Sequence, residues 1–116
     1  MAEDSGERLQ IFCPQNDGDL QLVIIERTTV PAFPSEVWAT ISAPVGSVHE
    51  IDAIGILTRA GHEHIVGGVV RVGDSLMVRH SVPTSSMHLH EFVVPFHLVM
   101  NAAAQLRATG ERGSVI

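Results

Sequence analysis

The chain has 116 residues, 45% of them apolar, with a formal net charge of −6. This length suits one domain that buries a core without disulfide or metal staples, and the scattered acidic residues leave no basic stripe for phosphates or anionic lipid. Nucleic acid and membrane surfaces are therefore disfavoured as partners, and no run approaches the roughly 20 apolar residues of a membrane-spanning helix.

The opening MAEDSGERLQ is acidic and polar and has none of the marks of a secretory signal peptide. The single cysteine, Cys13, forms no CxxC motif, so a soluble, cytoplasmic protein is expected. The first seven residues and the tail from Gly110 to Ile116 read as soft ends around one domain spanning 1–116, with an ordered core over about 8–108. Leu9 to Cys13 and Leu20 to Arg27 are apolar, β-branched runs joined by PQNDGD, whose Asp17-Gly18 pair suits a tight hairpin. Pro31 and Pro34 interrupt the next stretch. Val37 to Ala43 then alternates as a third strand, which Pro44 and Gly46 are expected to stop.

Ser47-Val48-His49-Glu50 has the form of a capping box, which predicts a helix from Ser47 to Ala60. Ile51, Ile54 and Leu57 follow at a spacing of three, Ile56 widens the apolar face, and Gly61 is placed to end the helix. The isoleucine-rich IDAIGIL also suits a strand. His64 to Arg71 and Leu76 to Val82 flank a two-residue Gly73-Asp74 turn, which puts Val72 opposite Ser75, Val70 opposite Met77 and Val66 opposite Ser81 on one side. Leu76, Val69 with Val78, and Ile65 with Val82 occupy the other. The last element, Leu89 to Arg107, places Leu89, Phe92, Val93, Phe96, Val99, Met100, Ala103 and Leu106 on one helical stripe, with Pro95 kinking it near Phe92 or fraying its first turn. The expected fold is α+β: a five-stranded, mostly antiparallel sheet in the order β-β-β-α-β-β-α, with two helices on one face.

Gly67 to Arg79, followed by Val82-Pro83, Met87, Phe92 and Ala102 to Leu106, matches in pattern a Gly-Asp hairpin leading to a long helix. In these residues, and over about Ser47 to Leu106, the chain resembles the YbjN family and the related fold of type III secretion chaperones. The resemblance implies a dimer, or a module that holds an extended client segment against its sheet and edges, with nothing catalytic. The sequence departs from that pattern in lacking an N-terminal helix.

Both sheet faces read as apolar, while two helices cover only one, so a second protomer or a polypeptide client is the expected partner of the other face. Trp38 alternates away from Val37, Ala39 and Ile41 and, with Val66, Val70 and Met77, supplies the expected grip. Arg79 shares that face and suits an ion pair with a carboxylate of the protein or of its partner.

Seven histidines raise a second possibility, a metal- or small-ligand-binding domain using His62, His64, His80, His88 and His90. His62-Glu63-His64 and His88-Leu89-His90 would direct paired rings the same way on a strand, whereas exposed loop histidines are the simpler account. Ser85, Ser86 and Cys13 are candidate nucleophiles without a motif, and there is no phosphate loop. The sequence thus points to a non-catalytic binding module with no cofactor.

Overall fold

Alternation of apolar and polar residues in the first third of the chain produces an antiparallel meander. The computed structural model describes residues 2–4, 8–15, 18, 20–63, 68–85 and 88–112. Strands β1 (Ala2–Asp4), β2 (Arg8–Pro14), β3 (Leu20–Val30) and β4 (Phe33–Ser47) lead into helix α1 (Ala53–Glu63). The hairpin β5 (Gly68–Val72) and β6 (Ser75–Pro83) and helix α2 (Leu89–Arg112) follow. The sheet runs β1-β2-β3-β4-β6-β5, and every neighbouring pair is antiparallel. Since β4 and β5 both oppose β6, they are parallel to each other, joined across α1 with β6 inserted between them.

The architecture is the expected α+β one, with five longer strands and two helices on one face. Sheet residues Val23, Ile41, Ala43, Val45, Leu76 and Val78 meet Ile56 of α1 and Val99, Ala102, Ala103 and Leu106 of α2 in a single core. The turns form as read: Gly18 and Gly73 adopt φ of 89° and 60°, a region that a side chain disfavours. The hairpin register is also the expected one, with Val72 opposite Ser75, Val70 opposite Met77 and Val69 opposite Val78. The main-chain oxygen of Asp74 accepts the Val48 N–H at 2.7 Å, tying the hairpin tip to the segment that follows β4.

Several boundaries differ from expectation. Ala2–Asp4, expected to be a soft end, adds β1 to the sheet by pairing with β2. β4 passes through Pro44 and Gly46 because a register shift there opposes two residues to one on β6, and a bulge accommodates a proline that cannot donate. Ser47 therefore ends a strand and does not cap α1; its carbonyl and hydroxyl accept N–H groups of a turn at His49 to Ile51. The cap is Asp52, whose Oδ1 accepts the Gly55 N–H at 3.1 Å. α1 also runs through Gly61, and α2 runs on to Arg112 with Pro95 inside it.

The buried face of α1 is rotated from the expected stripe. Ile56 is fully buried, whereas Ile54 and Leu57 are 78% and 47% exposed. On α2 the stripe holds at Val99, Ala103 and Leu106, while Leu89 is exposed. Ile56→Ala is expected to lower stability by about 2–5 kcal/mol, and Ile54→Ala by no more than about 0.5 kcal/mol. Urea unfolding of the two variants checks this, and equal losses would contradict the observed rotation of α1.

Candidate binding face

Residues directly opposite one another in an antiparallel pair share a face, so the register builds the side away from the helices row by row. Thr28, Trp38 and Pro83 form one row across β3, β4 and β6. Glu26, Thr40 and Ser81 form the next, and Ile24, Ser42 and Arg79 the one after. Pro44, Met77 and Val70 then extend the face to β5. Phe12 of β2 lies across from Leu22 of β3, which the register carries on into the same row as Pro44.

The middle of this face is polar, although apolar surface was expected there. Thr40 donates to Thr28 Oγ1 at 2.9 Å and lies 3.0 Å from Ser81 Oγ. A hydroxyl carries one hydrogen, so with Thr40 committed to Thr28, Ser81 must donate to Thr40. Beside this chain, Arg79 Nε donates to Ser42 Oγ at 3.0 Å. Reaching from β6 to β4 lays the arginine stem across the sheet, and Ser42 is only 1% exposed with no helix above it. Glu26, Thr28, Thr40, Arg79 and Ser81 line a cleft of about 240 Å³.

The expected partner-binding residues fall as follows. Trp38 lies on the helix-free face as its alternation indicated, half-buried, with its indole Nε1 enclosed and lacking an acceptor among the described residues. Val70 and Met77 are half-buried neighbours toward the β5 edge. Arg79 shares their face, but its hydrogen bond goes to a hydroxyl, and it forms no ion pair among the described residues. Val66 and Ile65 lie outside the described residues. The structure also brings in Glu26, Thr28, Thr40, Ser42 and Ser81, which the sequence reading did not single out. Their signal was the alternation Trp38, Thr40, Ser42 along β4, which acquires meaning only beside its β3 and β6 partners.

The histidines do not converge in what is described. His80 pairs with Ile41 and so belongs to the helix-covered face, while His88 and His90 are exposed on the approach to and first turn of α2. The side chain of His62 and all of His64 lie outside the described residues. Among the described residues no group of three or more His, Cys, Asp or Glu side chains is arranged to hold a metal ion. Ser85 donates to Glu36 Oε1 at 2.9 Å, and Ser86 lies outside the described residues. Cys13 packs against the core, where burial pushes its thiol above the ordinary value.

No protein-family model, curated protein or solved structure matches the chain.

Two measurements follow from this geometry. Thr40→Val keeps the side-chain shape but leaves Thr28 and Ser81 without their shared partner, and is expected to lower stability by about 1–3 kcal/mol in urea unfolding. An unchanged midpoint would dissolve the hydroxyl chain as a structural element. Labelling of Cys13 by a thiol reagent is expected to rise with pH along a curve displaced to higher pH than that of free cysteine measured alongside, because the thiolate is the reactive form and burial disfavours it.

Proposed function

We propose that the protein is a non-catalytic binding module, chaperone- or adaptor-like, that holds another polypeptide against its helix-free sheet face, either a client segment or a second copy. One observation carries this reading: α1 and α2 cover one side of the sheet, while the other presents Trp38 and an apolar row of Leu22, Pro44, Met77 and Val70 on either side of hydrogen-bonding rows. The outer side of β5 adds a route, since this edge strand pairs only with β6 among the described residues. An extended peptide laid along it would gain main-chain hydrogen bonds, with side-chain contacts from Val70 and Met77 supplying selectivity.

The element order supports the same reading. Apart from the short β1, it is the β-β-β-α-β-β-α order in which the sequence resembles the YbjN and type III secretion chaperone-like proteins. The net charge of −6 suits a partner of basic character. Among the described residues no helix is long and apolar enough to cross a membrane, which is compatible with work in the cytoplasm. The histidine-based alternative has less support, since among the described residues no three or more His, Cys, Asp or Glu side chains are arranged to hold a metal ion.

The test is molar mass by light scattering on a size-exclusion column, paired with binding to an unbiased peptide array. The wild type is expected to form a dimer or to capture extended peptides, and Trp38→Ala to weaken that association about tenfold or more with an unchanged circular dichroism spectrum. A wild type that is strictly monomeric and binds no peptide overturns the reading.

A further inference from the structure

Two opposite charges line the cleft without meeting. Arg79 and Glu26 are both half-buried, and they rise from β6 and β3 on either side of β4. The ion pairs of Asp74 with His49 and with Arg71 include neither Arg79 nor Glu26, and Arg8, which lies opposite Glu26 on β2, does not line the cleft. With Nε committed to Ser42, the terminal nitrogens of Arg79 keep four N–H donors for an incoming group. The hydroxyl chain is directional too: Ser81 donates to Thr40 and Thr40 to Thr28, which leaves Thr28 a hydrogen to donate and Ser81 a lone pair to accept.

This arrangement selects by charge. A lone anion drawn to Arg79 meets the like charge of Glu26, and a lone cation drawn to Glu26 meets the guanidinium. A molecule bearing both charges satisfies both side chains and brings no net charge into a half-buried site. At about 240 Å³ the cleft is smaller than most pockets for drug-sized ligands. We propose that it binds a small zwitterion of free amino-acid size, with the carboxylate on Arg79, the ammonium on Glu26, and the hydroxyls of Thr28, Thr40 and Ser81 as floor. This site does not depend on the polypeptide binding proposed above.

The experiment titrates the intact protein with each standard free amino acid, followed by calorimetry and by backbone amide shifts. The N-acetyl and C-amide forms of the tightest binder, inorganic phosphate, methylammonium and glucose serve as controls. Saturable binding of at least one free amino acid is expected, with shifts centred on Glu26, Thr40, Arg79 and Ser81. Blocking either terminus, or introducing Glu26→Gln or Arg79→Gln, is expected to weaken it about tenfold or more. No binding by any amino acid at about 10 mM overturns the proposal. Equal binding of the blocked forms, phosphate, methylammonium or glucose does so as well. A third contrary result is a strong coupling of Glu26 and Arg79 in the stability of the ligand-free protein, together with no ligand binding, which marks a direct ion pair. Should Arg79→Gln fail to fold, Glu26→Gln and the blocked ligands still decide.

Discussion

Strand β6 lies between β4 and β5 and pairs with both, so its register assigns the residues of three strands to their faces at once. In that register Leu76 and Val78 enter the core beneath the helices, each worth about 1.5–3 kcal/mol of burial. Met77, Arg79 and Ser81 then face the other way. A slip of one residue would put the Arg79 guanidinium under α2 and expose both aliphatic side chains, losing burial and desolvating a charge together. The left-handed Gly73 and the hydrogen bond from Val48 to Asp74 hold the hairpin against such a slip. The polar centre of the open face is thus a consequence of how the core is packed.

The bulge in β4 serves the same division. Gly46 pairs with Leu76 and Pro44 with Met77, so Val45 is the extra residue, and it is buried in the core. Alternation already keeps Ala43 and Val45 on one face; the insertion accommodates a proline, which has no N–H to give, in an interior strand. Next to it Gln21, fully buried on β3, donates to the Pro44 carbonyl at 3.1 Å, which adds a side-chain bond at this irregular point. A proline that reads as a stop in the sequence is here a bend within a long strand.

The sequence made the two Gly turns, the β5–β6 register and the core stripe of α2 legible, because each depends on neighbours close in the chain. It misplaced the start of α1, since Ser47 to Glu50 satisfies the capping-box pattern while Ser47 is still paired to Ser75 across the sheet, a contact no local pattern contains. It also misjudged which side of α1 is buried. Ile51, Ile54, Ile56 and Leu57 offer apolar residues on most of the circumference, so periodicity alone cannot choose, and the choice is made by packing against α2 and β5. The candidate site was half legible: Trp38, Met77 and Arg79 fall on the expected face, but the polar row emerges only when β3, β4 and β6 are aligned.

That row changes what the open face is able to do. A continuous apolar surface would bind any exposed hydrophobic segment and would favour aggregation. Here the register aligns Phe12, Leu22, Pro44, Met77 and Val70 in one apolar row, bordered by rows that carry Ser42 with Arg79 and Glu26 with Thr40 and Ser81. Whatever covers those polar rows must match the open donors of Arg79 and the acceptors of Glu26, because burying either unpaired opposes binding. The apolar row supplies affinity, and the polar rows beside it penalise partners that lack complementary groups. The discrimination arises from residues that lie outside the main core cluster, held in place by their own hydrogen bonds.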